Sequence, residues 1–265
     1  MNLQLNNTQD KKELKIVPRY VTRGSDKENR GANILVTGAS GFIGSRLVKR
    51  LLSICGTTNW NIRCMTRDPN SISRYFNQED HVEFVRADVQ NYPELVKALN
   101  GMDVAFYLIH SMEGSSKQWK KFAERDRVAA QNFARAVNEA GVSRVIYLGG
   151  LTNAPEQELS KHMRSRTQVG EILKKSNAAV TIFRAAVILG QGGGSFQMLQ
   201  YLVERLPLMV CPKWVLTKCQ PIAVDDVVEY LVRSIERNET KSKTFDIGGS
   251  EILTYLDMMQ RYSNI

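Results

Sequence analysis

The stretch from Asn33 to Leu51, NILVTGASGFIGSRLVKRL, constrains this chain more than any other. Ile34, Leu35 and Val36 form a short apolar run rich in β-branched residues, the pattern of a strand buried on both faces of a parallel sheet. Gly38-Ala39-Ser40-Gly41-Phe42-Ile43-Gly44 follows at once, and Leu47, Val48, Leu51, Leu52 and Cys55 then recur at helical spacing. Strand, glycine-rich turn and helix without a gap are the frame of a dinucleotide-binding fingerprint. In that frame Gly38 permits the tight turn, Gly41 lets backbone approach a pyrophosphate, and Gly44 lets helix pack on strand. Ser40, Phe42 and Ile43 complete the turn, whose free N–H groups and positive dipole end receive the phosphates. The glycine spacing is GxxGxxG, preceded by Thr37, rather than GxGxxG.

Downstream, strand and helix patterns alternate. Strands are expected at residues 60–67, 82–85, 103–111, 145–150, 180–184 and 245–249. Helices are expected at Tyr92–Leu99, Trp119–Ala140, Arg164–Lys175, Phe196–Leu206 and Asp257–Tyr262. That alternation predicts an α/β fold with a doubly wound parallel (Rossmann) sheet over residues 32–265. A small C-terminal substrate lobe takes up about 190–265, and a flexible polar tail covers residues 1–31, with one local strand at Leu14–Val17. Ligands of such sheets lie beyond the carboxyl ends of the strands. Gly38–Gly44, Arg67, Asp88-Val89, Leu108-Ile109-His110 and Gly149–Thr152 all fall at those ends. Arg67 comes 23 residues after Gly44, where an arginine would hold the 2′-phosphate of NADP(H). Asp68 beside it would instead read the ribose of NAD(H), and a solvated Arg-Asp turn is the third possibility. The Gly192–Gly194 run reads as a substrate-cleft loop, and as a second phosphate loop only if a strand and a helix frame it tightly. Asp225 or Asp226 is expected to cap the helix that follows Gln220–Val224.

The net charge of +9 divides into +3 for residues 1–31 and +6 for the remainder. Solvated helix faces account for most of it, and an anionic partner is the sharper alternative. No nucleic-acid-binding motif accompanies the charge, so no nucleic acid is expected as a partner. No apolar run reaches the ~18 residues of a membrane span, and the N-terminus lacks a secretory apolar core. Cys55, Cys64, Cys211 and Cys219 form no CxxC pair, which suits reduced thiols in a cytoplasmic protein. His81, His110 and His162 have no metal-ligand spacing, so no metal is expected. His110 would flank a cofactor or cap its strand end.

TGASGFIG, Asp88-Val89, QPIAVDDV at Gln220–Val227, YLIHSM at Tyr107–Met112 and YLGGL at Tyr147–Leu151 together resemble the short-chain dehydrogenase/reductase superfamily. The likeness is to its extended and atypical branches, among NAD(P)-binding members similar to the NmrA-like and complex I-associated proteins. Members of that subgroup often run longer than this chain. The resemblance implies that Asp88-Val89 contacts the adenine. It also implies that the family's catalytic Tyr-x-x-x-Lys falls on His162-Met163-Arg164-Ser165-Arg166, histidine replacing tyrosine and arginine replacing lysine. Gly149-Gly150 stands where the usual serine would be, and Thr152 is the nearest hydroxyl. His162 is then a general acid/base or a polar residue at a helix start, and Arg166 would hold the nicotinamide ribose. Two readings follow. One is an NADPH-dependent reductase of an unknown small-molecule substrate. The other is a non-catalytic dinucleotide-binding redox sensor, assembly factor or scaffold with an unknown protein partner.

Overall fold

The computed structural model describes residues 31–69, 72, 82–110, 119–152, 155–205 and 213–264. The expected strand at Leu14–Val17, His81 and the loop at Gly114–Ser116 lie outside the described residues. Eleven strands are described: β1 (Asn33–Thr37), β2 (Asn61–Thr66), β3 (Val82–Arg86), β4 (Val104–Tyr107), β5 (Arg144–Gly150), β6 (Ala179–Ala185), β7 (Val187–Leu189), β8 (Lys218–Cys219), β9 (Pro221–Ala223), β10 (Thr244–Ile247) and β11 (Leu253–Thr254). Seven form one sheet in the order β10-β6-β5-β4-β1-β2-β3, with every neighbouring pair parallel. This is the doubly wound arrangement. Its winding reverses between β1 and β4, which opens a crevice at their carboxyl ends.

Seven α-helices are described: α1 (Phe42–Thr58), α2 (Tyr92–Leu99), α3 (Trp119–Ala140), α4 (Lys161–Leu173), α5 (Gly194–Arg205), α6 (Val224–Arg233) and α7 (Tyr255–Ser263). Alternate residues of the central strands enter two separate cores. Ile34, Val36, Ile62, Cys64, Phe106 and Ile146 join Leu47, Val48 and Leu51 of α1 and Val227, Val228 and Leu231 of α6 on one face. Leu35, Met65, Ala105, Tyr107, Val145 and Tyr147 join α2, α3 and α4 on the other. Covering both faces removes the alternation of polar and apolar residues, which is why β4 reads as a continuous apolar run.

Local chemistry sets the helix starts. Asn91 accepts from Glu94 N at the head of α2, and Ser160 accepts from Met163 N at the head of α4. The Ser160 cap starts α4 at Lys161, three residues before the expected start, so His162 and Arg166 both lie on its first turns. Neither Asp225 nor Asp226 caps α6. Ala223 holds the cap position, and the two carboxylates sit within the first turn, where they favour the helix through its dipole. β7 was not expected. It runs straight into the glycine loop and then α5, so the Gly192–Gly194 run is framed by strand and helix. α5 and α7 pack around a small cluster of Leu199, Met258 and Met259, and Thr254 and Asp257 close a capping box on α7. Among the described residues no helix is long and apolar enough to cross a membrane.

Candidate dinucleotide site at the head of the sheet

The crevice begins at a buried hydroxyl. Thr37 Oγ1, fully buried at the end of β1, donates to Phe106 O at 2.9 Å and accepts from Leu108 N at 3.0 Å. It stitches β1 to β4 where the winding reverses. Gly38 follows with φ +65°, and a Cβ there would stand 3.0 Å from Leu108 O, so both conformation and space require glycine. Gly44 packs harder still, since a Cβ would meet Gly38 O at 2.1 Å. Gly41 differs from both: it is exposed, and among the described residues a Cβ on it would come near only Gly38 O at 3.1 Å, the acceptor of its own N–H. Its outer face is open for an anion. Gly41 is also the N-cap of α1, with no side-chain cap and no acidic residue in the first turn. The orphan amides and the positive end of the dipole are therefore left for a ligand. Ser40 is exposed beside them, while Phe42 and Ile43 turn partly inward.

Phe42 accounts for Gly193 within the second glycine run and for Gly190 just before it. Its ring would lie 2.7 Å from a Cβ on Gly193 and 3.3 Å from one on Gly190, and Val224 would crowd Gly190 at 2.5 Å. Gly193 is needed for packing against α1 and Gly190 for packing against α1 and Val224, whereas Gly192 owes its glycine to a φ of +81°. Arg46 clamps the same contact. Its guanidinium lies over the Phe42 ring, 4.6 Å from the centroid, and donates to Phe42 O at 3.0 Å and Gln191 O at 2.6 Å.

Along the sheet, Thr66 Oγ1 holds the backbone of Asp68 at 3.3 Å, and the turn leaves Arg67 exposed. Asp88, half-buried after β3, accepts from Gln90 N at 2.9 Å. Its own N–H donates to Glu94 at 2.9 Å, and the Val89 side chain is buried. Leu108 and Ile109 face Gly38 across the crevice, with Ile109 Cγ1 at 3.5 Å from a Cβ placed there. His110 follows at the mouth.

At the far end the replacement for Tyr-x-x-x-Lys comes into view. Gly150 closes β5, and a Cβ on it would meet Met163 Cε at 2.6 Å and Arg166 Cδ at 3.4 Å. The glycine lets α4 settle onto the strand end, beside Thr152. Arg166 has its Nη1 buried with no hydrogen-bond partner among the described residues. A buried guanidinium nitrogen left unpaired is costly, and a ribose hydroxyl is the kind of acceptor it lacks. Crowding by protein, then repulsion from Arg166 and His162, holds the His110 imidazole well below its ordinary pKa. The outer surface of His110 is still open to solvent. His162 is depressed too, by burial first and Arg166 second, with Asp126 opposing. Asp126 on α3 gave no sequence motif. It accepts from Ser165 Oγ at 3.3 Å and is the acid facing this cluster. Tyr147 lies beneath on the core side, its hydroxyl donating to Arg166 O at 3.1 Å and its pKa pushed up to about 12 by burial.

An open glycine turn, an uncapped helix start and an unpartnered buried donor at a Rossmann switch point define a dinucleotide-binding domain, and a nicotinamide dinucleotide fits these groups. Residues 38–201 match the NAD(P)H-binding family model. The chain belongs to that family, within the extended and atypical short-chain dehydrogenase/reductases. It is similar to the chloroplastic divinyl chlorophyllide a 8-vinyl-reductase of Cucumis sativus, 22% identical over 84% of this chain and 54% of the relative. It is also similar to the photosystem II assembly factor Ycf39 of Trieres chinensis, 24% identical over 83% of this chain and 64% of the relative. The chain thus spans between about half and two thirds of the length of these two proteins. Among solved structures, the Bordetella bronchiseptica enzyme WbmG in complex with NAD and UDP superposes with a TM-score of 0.72 at 16% identity, over 89% of this chain and 79% of that one. MoeE5 in complex with UDP-glucose and NAD gives 0.69 at 19% identity, over 88% and 82%. At such identities the structures speak to fold alone.

Proposed function

We propose that this protein is an NADPH-dependent reductase in which His162 replaces the family's tyrosine as acid/base and Arg166 holds the nicotinamide ribose. The buried Nη1 of Arg166, without a hydrogen-bond partner among the described residues, carries this reading, because it is a buried side-chain donor that lacks an acceptor beside the strand end. When bound, the dihydronicotinamide supplies a hydride. The chain supplies the rest: the Gly38–Gly44 turn holds the pyrophosphate, Asp88 and Val89 the adenine, and Leu108, Ile109 and His110 the wall beside the nicotinamide. Arg67 takes the 2′-phosphate, Thr152 positions the substrate oxygen, and His162 gives that oxygen its proton.

The depressed pKa fixes the sign of the pH dependence. A histidine held below the ordinary imidazole value of about 6.5 is mostly protonated only at pH lower than that value. Reduction should therefore quicken as pH falls through the His162 pKa, and oxidation of an alcohol, which needs the neutral base, should be favoured above it. NADPH oxidation against a panel of quinones, enones and aldehydes, wild type beside His162→Ala, tests the assignment. The expected loss is ~10²–10⁴-fold in rate, and activity that survives the substitution undiminished removes His162 as the acid. One observation favours the second reading, a dinucleotide-binding sensor or assembly scaffold: both imidazoles at the site are held neutral, which leaves no strong proton donor near pH 7. Tight NADPH binding with no turnover on any of the panel would support it.

A further inference from the structure

The two ends of the β2–β3 pair differ in charge, one neutralised and the other positive. At the amino end Arg63 and Glu83 are register partners, and they form an ion pair at 2.6 Å. At the carboxyl end Thr66 is partnered with Arg86, and Arg67 follows Thr66. Arg67 and Arg86 are both exposed, and neither makes a hydrogen bond or an ion pair among the described residues. The nearby carboxylates Asp88 and Glu94 are engaged, Asp88 by Gln90 N and Glu94 by Asp88 N and Asn91 Nδ2. Direction follows from the pleat. Cys64 and Phe84, one period before Thr66 and Arg86, pack into the core beneath α1, so Arg86 leaves the sheet on the side of α1. That is the side where the open glycine turn begins.

Two like charges on adjacent strand ends, without a partner among the described residues, are suited to an anionic ligand. A phosphate monoester carries close to two negative charges at neutral pH and several acceptor oxygens, whereas a ribose hydroxyl offers neither. We propose that Arg86 is a second specificity-determining cation which, with Arg67, clamps the 2′-phosphate of a 2′-phosphorylated adenosine nucleotide. The inference rests on the reading of the strand ends as a dinucleotide groove, and it adds a residue from a second strand to that reading.

Calorimetric titration with adenosine 2′,5′-bisphosphate and with 5′-AMP isolates this end of the groove without any turnover. The wild-type protein should bind the bisphosphate about tenfold or more tightly than 5′-AMP, the scale of a charge-assisted contact. Arg86→Gln should remove most of that advantage while leaving 5′-AMP affinity within about twofold, and Arg86→Lys should restore part of it. Lys49→Gln, an exposed charge elsewhere on α1, should leave the advantage intact, which separates a clamp from general positive charge. If Arg67→Gln abolishes the advantage and Arg86→Gln does not, the second cation is refuted and the NADPH reading stands. If the wild type does not discriminate between the two nucleotides, both fall.

Discussion

Arg144 sits 2% exposed at the first residue of β5, at the opposite end of the strand from the crevice, and makes no ion pair among the described residues. Its Nη2 donates to Ser234 O at 2.5 Å, Thr240 Oγ1 at 2.5 Å and Thr181 Oγ1 at 3.2 Å, while Nε and Nη1 have no partner among the described residues. Burial lowers its pKa, and Glu239 opposes at a distance. The carbonyl of Ser234 is the C-terminal cap of α6, so the guanidinium meets the negative end of that dipole. Two substitutions separate the roles. Arg144→Ala leaves a cavity and unsatisfied acceptors and should cost ~2–4 kcal/mol in urea unfolding. Arg144→Met fills the space without a buried charge and should cost clearly less. Equal losses would mean that the hydrogen bonds, not the packing, hold this corner.

Among elements, α1 does most. Its first turn leaves its amides without a side-chain cap and, through Phe42 and Arg46, holds the loop at 190–193 that leads into α5. Arg46→Met keeps the aliphatic stem and removes both donors. Amide exchange at Gly193 and Gln197, whose bonds to Gly190 O and Gly193 O close this turn, should quicken by about tenfold, the scale of one charge-assisted bond. Unchanged exchange would show that the Phe42 ring suffices. The contrast between α1 and this loop also marks what the sequence could tell. The frame of β1, turn and α1 was legible because strand, glycine spacing and helical periodicity coincide within one short stretch. The strands β2 to β6 were legible for the same local reason. β7 and β9 were not: each is three residues long and exists only through its partner in a distant segment. The reason for Gly190 and Gly193 was also hidden, because it is a ring contributed from the opposite end of the domain. Asp126 went unnoticed because one acid on a helix rich in charge has no pattern of its own.

At the scale of the whole molecule, the order β10-β6-β5-β4-β1-β2-β3 explains why one end of the protein gathers every candidate ligand group. In a fully parallel sheet all carboxyl ends point the same way, so residues as distant as Gly38, Arg67, Asp88, His110 and Gly150 share one rim. Substitutions at the amino end, such as Glu83→Gln, reach only the Arg63 pair and the carbonyls it caps.

The place of β10 has a consequence in time. Thr244 to Ile247 pair with Ile182 to Ala185, more than sixty residues earlier in the chain. While the protein is being synthesised, β6 can already lie beside β5 with its other edge bare, until β10 emerges to cover it. For that interval the growing chain offers a row of unpaired amides and carbonyls to any neighbour on the same message. A chain stopped at residue 240 would keep that edge permanently. On dilution from urea it should scatter light as aggregates form, under conditions where the full chain refolds clear. Safe passage of the nascent chain thus depends on an edge strand that supplies none of the candidate ligand groups named above.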